Sequence, residues 1–252
     1  SVKSRGLGDV YKRQVKCCTQ NGVRGGSATV HFPIWHQEIE DIIVLKNNKG
    51  SEDNRVRKLD YSIQLSKLFY ERFINEQEIS LFSPHEVPEL YYAWGTPEFD
   101  DLYEKAERKT SIKKKKVNAQ ELFFDILKER AETGRIYIMN IDHCNTHSSF
   151  KDKVYMSNLC QEITLPTDPI QHIDGEGEIA LCILSAINVG KINELDELEE
   201  LCDLAVRSLD EIIDQQKYPV KAAEISTKAR RSLGIGYIGL AHYLAKIGYS
   251  YE

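Results

Sequence analysis

An α/β fold is predicted by three features of this 252-residue chain. Apolar segments of strand length, "RIYIMNI" (135–141) and "EIALCILSAINVG" (178–190), stand apart from longer segments with helical periodicity. The clearest helix, 194–216, carries Leu195, Leu198, Leu201, Ala205, Leu209, Ile212 and Ile213 as one stripe, with Pro219 just past its end. The two signals alternate along the chain without an internal repeat or a low-complexity linker, and such alternation marks α/β architecture.

The remaining elements follow in order. "SATVHF" (27–32) reads as a short strand ended by Pro33, and 34–45 as a helix with Ile39, Ile42 and Ile43 on one face. Residues 60–74 place Tyr61, Leu65, Leu68, Phe69 and Phe73 at helical spacing, which predicts one amphipathic helix. "SPHEVP" is a turn, and the lysines at 113–116 read as a solvated loop before the next helix. That helix, 118–132, begins at an Asn118/Glu121 capping pair and stops at Gly134. The run 178–190 is apolar enough for a strand buried on both faces. A last helix covers 236–247, capped by Gly248.

Composition excludes several classes. The chain is 41% hydrophobic and 29% charged, with a net charge of −6; an acidic balance argues against nucleic acid or a membrane surface as the main partner. The six cysteines, Cys17, Cys18, Cys144, Cys160, Cys182 and Cys202, form no CxxC pair and are too sparse for a disulfide scaffold. A reducing, cytoplasmic setting is expected. No signal peptide and no apolar run of membrane-spanning length are seen.

The chemistry concentrates in "SNLCQEI" (157–163), where Asn158, Cys160 and Glu162 occupy alternate positions. In an extended segment such residues share one side. A solvated strand face is the commoner use of this pattern. An amide, a thiol and a carboxylate facing one space also form a reaction centre. A carboxylate beside a thiol disfavours thiolate, so a cysteine-protease nucleophile does not fit. A neutral thiol that gives and takes a hydrogen atom, next to a carboxylate base, does. Glutamate ionises near about 4.3 in water, and burial would lift it toward a general-base range. Cys182, within the expected buried strand, adds a second thiol, although a buried cysteine alone usually means packing.

Other motifs weigh less. "QNGVRGG" (20–26) is a pliable glycine loop in which Arg24 is suited to a phosphate, a base or a carboxylate. "LGIGYIG" matches G-x-G-x-x-G at Gly234, Gly236 and Gly239 but does not follow an evident strand, so helix-packing glycines are expected. "DHCNTH", with His143, Cys144 and His147, lacks a second ligand pair and reads as a hydrogen-bonded loop. No metal site is expected.

Several stretches together, among them "GVRGGSATVHFPIWHQEIEDIIVLKNNKG", "NRVRKLDYSIQLSKLFYERF", "ERAETGRIYIMNIDHCNTHSSF", "SNLCQEITLPT" and "GEIALCILSAINVGKI", resemble the large catalytic subunit of class I ribonucleotide reductase, from about Val15 to Glu252. The resemblance implies part of a ten-stranded α/β barrel with a central cysteine-bearing loop. It makes Cys160 the thiyl-radical residue that takes hydrogen from the ribose 3′ carbon, Glu162 the base for the 3′ hydroxyl, Asn158 a substrate ligand and Cys182 one of two reducing thiols. It also makes Cys18 to Gly26 a specificity loop, in which Gln20 and Arg24 sense the base and Asn21 stands where glycine is expected. The partners it implies are a ribonucleoside diphosphate, a radical-generating metal-containing small subunit, a second large subunit, dNTP or ATP effectors, and thioredoxin or glutaredoxin as reductant; no cofactor is expected in this chain itself.

Residues 1–14 do not share the resemblance and read as a non-native, adapter-like segment, with 15–252 the central portion of the barrel domain. The second reducing cysteine, the phosphate-binding loop and the radical-relay tyrosines are not found, so the chain alone is expected to be inactive. An adenosylcobalamin-dependent reductase shares the barrel and cysteine. A regulatory nucleotide-binding module built on the Arg24 loop is the alternative without chemistry.

Overall fold

A computed structural model describes residues 14–19, 21–51, 55–170, 172, 175 and 177–251. Apart from Gln14, the segment expected to be non-native lies outside these residues, as does Gln20. The described residues fall into two compact units, one ending at Pro166 and one beginning at Thr167. The fold is α/β, as expected.

The first unit contains, in order, β1 (Thr29–Pro33), α1 (Ile39–Ile43), β2 (Asp60–Leu65), α2 (Lys67–Ile74), β3 (Glu78–Phe82), α3 (Pro88–Ala93), α4 (Phe99–Arg108), β4 (Lys114–Asn118), α5 (Ala119–Thr133), β5 (Ile136–Asn140) and α6 (Ile141–Thr146). Strands β1, β2 and β5 form a parallel sheet with β2 in the middle. Register sets Phe32 beside Ile63 and Ile138, and His31 beside Ser62 and Tyr137. One sheet face is therefore apolar, through Tyr61, Ile63 and Leu65, and the other polar, through Ser62 and Gln64. Both are closed to water: Ile63 and Ser62 are each 0% exposed.

This sheet corrects the helix expected over 60–74. Its first half is β2 and only its second half is α2. Tyr61 and Leu65 lie four apart, so an alternating strand mimics helical spacing there. Ser66 divides the elements: its hydroxyl accepts from the Phe69 amide and caps α2. The expected helix over 34–45 also shrinks to α1, whose Ile39, Ile42 and Ile43 are buried as anticipated.

The lysine run is likewise a strand, not a loop. β4 pairs antiparallel with β3, from Glu78 opposite Asn118 to Phe82 opposite Lys114. Lys115 pairs with Glu40 and Lys116 with Glu78, while β3 buries Ile79, Leu81 and Phe82. These feed an aromatic core in which Trp94 meets Phe99 at 4.5 Å and Phe82 meets Tyr103 edge-on at 5.5 Å. The Tyr103 hydroxyl both accepts from the Ser80 amide and donates to the Ser80 carbonyl, each at 2.7 Å.

Helix α5 matches its prediction. The Asn118 side-chain oxygen accepts from the amides of Gln120 and Glu121 at 2.9 and 3.1 Å, and Gly134 ends the helix at φ +66°. β5 matches the predicted strand to within a residue at each end. "DHCNTH" is a helix, α6, and no His/Cys/Asp/Glu group able to hold a metal occurs among the described residues.

The second unit contains β6 (Ile183–Asn188), a short 3-10 turn (Val189–Lys191), α7 (Glu197–Gln215), α8 (Lys221–Arg230), β7 (Leu233–Ile238) and α9 (Leu240–Ile247). β6 and β7 pair in parallel. Burial on both faces, expected of 178–190, is not found: β6 alternates half-buried and exposed residues, and Cys182 precedes it, half-buried. Gly234 and Gly236 lie in a strand, not in a packed helix. Gly239 adopts φ +77° at the start of α9, where a Cβ would come within 2.7 Å of the Asn188 side chain. Arg231 ties α8 to α7 through Asp210 and Asp214 at 2.6 and 3.0 Å. Sheets of three, two and two strands are present among the described residues, and no barrel is closed.

Two measurements check this packing. Asn118→Ala removes the acceptor for two helix amides and should lower unfolding stability by about 1 kcal/mol in urea, whereas Asn118→Ser should be close to neutral. His31 and His36 are held below the ordinary imidazole value of 6.5, in both cases mainly by burial. Such a ring binds its proton more readily in the unfolded chain. Its contribution is complete above the unfolded pKa and is lost as pH falls below that value and through the lower folded one. The unfolding midpoint should therefore drop as pH falls below about 6.5, and His31→Phe should flatten the slope.

Candidate active-site loop

The segment leading to "SNLCQEI" is fastened before the motif begins. The Asn145 side chain, on α6, bonds both the amide and the carbonyl of Val154, at 2.8 and 3.0 Å. Gln64, on the polar face of β2, donates to the Tyr155 carbonyl at 2.6 Å and accepts from the Trp94 indole at 2.8 Å. The Lys153 amine lies 4.4 Å from the Tyr155 ring centre, and burial pulls its pKa down to about 8.

From Asn158 the chain turns, which corrects the extended ribbon expected there. The Gln161 amide donates to the Asn158 carbonyl at 3.2 Å, and the Asn158 amide to the Ile163 carbonyl at 3.3 Å. Gln161 takes a left-handed conformation at φ +62°. The alternation survives the turn. Leu159, Gln161 and Ile163 are half-buried, while Asn158, Cys160 and Glu162 are exposed. The loop thus leaves all three predicted groups exposed to solvent.

The loop also grips the sheet. The Gln161 side chain accepts from the Ser62 hydroxyl at 2.6 Å and donates to the Ile138 carbonyl at 2.7 Å. The Thr29 hydroxyl donates to the Leu159 carbonyl at 2.5 Å. Strands β1, β2 and β5 each supply one anchor. The Asn158 oxygen accepts from the Ile163 amide at 3.1 Å and the Ser157 hydroxyl at 3.2 Å, leaving its two N–H donors without a partner among the described residues.

The burial expected to lift Glu162 is not provided by the described residues, since the Cys160 and Glu162 side chains are both exposed. A three-stranded sheet covers the loop from one side only. His31, on the polar face, has both ring nitrogens buried, next to the Ser157 backbone. Cys182 sits in the second unit; a Cβ on Gly234 would lie 3.2 Å from its sulfur.

In the glycine loop, Cys18 and Arg24 are exposed. Asn21 adopts φ +50°, a left-handed conformation that asparagine tolerates better than most side chains, so it fills the place expected of glycine. Gly26 has no such latitude: a Cβ there would collide with the carbonyls of Val15 and Cys18. Gln20 is not among the described residues.

Sequence reasoning missed Thr29, Ser62, Gln64 and Gln161. The alternation of Ser62 and Gln64 with Tyr61, Ile63 and Leu65 was a readable strand signal, masked by the helical reading of 60–74. Gln161 gave none, because its role depends on a partner 99 residues away.

The family profile described as "Ribonucleotide reductase, barrel domain" matches residues 6–252, so the match starts inside the N-terminal segment read as foreign. The chain is 59% identical over 248 residues to the ribonucleoside-diphosphate reductase subunit alpha of Haemophilus influenzae, covering 96% of this chain and 33% of that protein. It is 54% identical over 248 residues to ribonucleoside-diphosphate reductase 1 subunit alpha of Escherichia coli K12, with the same shares covered. Against subunit alpha of Enterobacteria phage T4 it is 45% identical over 250 residues, again covering 96% of this chain and 33% of that protein. The chain thus spans about a third of the length of these relatives. With a barrel-domain match across nearly all of its length and these identities, the chain belongs to the ribonucleotide reductase family.

Proposed function

We propose that the chain is the part of a ribonucleoside-diphosphate reductase large subunit that carries the radical cysteine, and that the whole protein converts ribonucleotides to 2′-deoxyribonucleotides for DNA synthesis. The observation that carries this reading is the loop 157–163. It leaves Asn158, Cys160 and Glu162 exposed and is anchored through Leu159 and Gln161 to three parallel strands.

Each group has a task suited to its chemistry. Cys160, as a thiyl radical, takes the hydrogen atom from the ribose 3′ carbon and returns it at the end of the cycle. Glu162 accepts the 3′ hydroxyl proton, and Asn158 offers its free N–H donors to the sugar. The 2′ hydroxyl leaves as water. Cys182 and a second thiol supply the two electrons and become a disulfide, which thioredoxin or glutaredoxin reduces. A separate metal-containing small subunit supplies the starting radical. The glycine loop with Cys18, Gln20 and Arg24 relays the identity of a bound dNTP or ATP effector across a large-subunit dimer to the substrate base. Water must be kept from such a radical, so further barrel strands have to close over the exposed side of the loop.

No helix among the described residues is long and apolar enough to cross a membrane, and a cytoplasmic enzyme is proposed. The test uses the full-length protein with its small subunit. Cys160→Ser should abolish turnover, a loss of at least about a thousandfold, with effector binding retained. Glu162→Gln should cost roughly a hundredfold or more in kcat. Turnover kept by Cys160→Ser would point to a regulatory module instead.

A further inference from the structure

Gln161 is the one residue of the reactive loop that both bends it and ties it down. Its φ of +62° lies in the left-handed region, where a side chain other than glycine, asparagine or aspartate is strained. Strain of this kind persists only where the surroundings over-determine it. Here they do. The amide oxygen takes the hydroxyl proton of Ser62, which is 0% exposed, and the amide nitrogen bonds the Ile138 carbonyl on the neighbouring strand. Both ends of the side chain are thus used. The backbone of the same residue closes the turn onto Asn158. Cys160 is its direct neighbour, so the direction of the sulfur follows the Gln161 backbone.

We propose that Gln161 is a positioning residue for Cys160, acting through a clasp on Ser62 and the Ile138 carbonyl. The proposal rests on the reading of Cys160 as the residue that abstracts hydrogen from the sugar. A glycine at 161 would adopt the turn without strain but would have no clasp. A leucine would match the size of the side chain and lose both hydrogen bonds. Ser62→Ala removes one partner while leaving the loop sequence intact. The thiol has to approach one carbon–hydrogen bond closely, and a misplacement of about 1 Å suffices for a large loss of rate.

The test is made in the full-length reductase with its small subunit, using Gln161→Leu, Gln161→Gly, Ser62→Ala and the double variant Gln161→Leu/Ser62→Ala. Expected are a fall in kcat of roughly tenfold to a hundredfold for both Gln161 variants, a smaller fall for Ser62→Ala, and little change in substrate KM or effector binding. The double variant should be no worse than Gln161→Leu, since both changes break the same contact. The readout that a merely structural role would not move is the isotope effect with 3′-deuterated substrate. It should rise in Gln161→Leu, because abstraction by a displaced Cys160 becomes rate-limiting. Wild-type kcat and isotope effect in Gln161→Gly and Ser62→Ala would overturn the proposal, and if Gln161→Leu does not fold those two variants decide. Cys160→Ser, run alongside, separates the two readings. An active Cys160→Ser enzyme sinks the assignment of Cys160. An inactive one beside unaffected Gln161 and Ser62 variants sinks the clasp alone.

Discussion

A parallel sheet with one polar face has to find hydrogen bonds for what it buries there. In β2 the problem falls on Ser62 and Gln64, both closed to water in the middle strand. An unpaired hydroxyl or amide in that position costs about 1–3 kcal/mol. The segment 154–163 resolves it: the Tyr155 carbonyl accepts from Gln64, and the Gln161 side-chain oxygen accepts from the Ser62 hydroxyl. What satisfies the sheet also fixes the loop. The candidate site and the stability of the first unit thus draw on the same few bonds, and a loop that could otherwise wander has a single seat.

The opposite face of the sheet supplies rigidity by ordinary means. Ile63 and Leu65 are buried in one apolar cluster with Ile39, Leu122 and Ile126, and the aromatic residues Trp35, Trp94, Phe99 and Tyr103 pack α3 and α4 against the β3–β4 ribbon. Trp94 links the two sides, since its ring packs in this cluster while its indole N–H reaches Gln64. Met139 does the same, since it lies in the core while its sulfur accepts from the Gln64 amide nitrogen at 3.6 Å. This is the arrangement a precise site requires: reactive groups on a short loop, held by side chains whose own positions are set by packing.

Much of this was legible in the sequence where local rules act alone. Asn118 and Gly134 bracket α5 as capping chemistry demands, and Gly248 stops α9 at φ +78°. The stripe of 194–216 gave α7, trimmed at both ends. Failures came where two periods coincide or where tertiary pairing overrides composition. Tyr61 and Leu65 satisfy a helix and a strand equally, and parallel neighbours on both sides decided for the strand. Four lysines look like a loop until β3 pairs with them. "LGIGYI" looks like helix-packing glycine until β6 lies beside it. In the site, the alternation of Asn158, Cys160 and Glu162 with Leu159, Gln161 and Ile163 persists as an alternation of exposed and half-buried residues. The turn at Gln161 was invisible because nothing in its local sequence demands a left-handed residue.

The position of the sulfur relative to a bound sugar is the quantity on which the functional reading stands. A crystal structure of the full-length protein with a ribonucleoside diphosphate bound measures it directly. The expected result is the Cys160 sulfur within about 4 Å of the ribose 3′ carbon, and a Glu162 oxygen within about 3 Å of the 3′ hydroxyl, with Gln161 still bonded to Ser62. A sugar bound elsewhere, or a loop lifted from β2 with Cys160 facing bulk water, would contradict it.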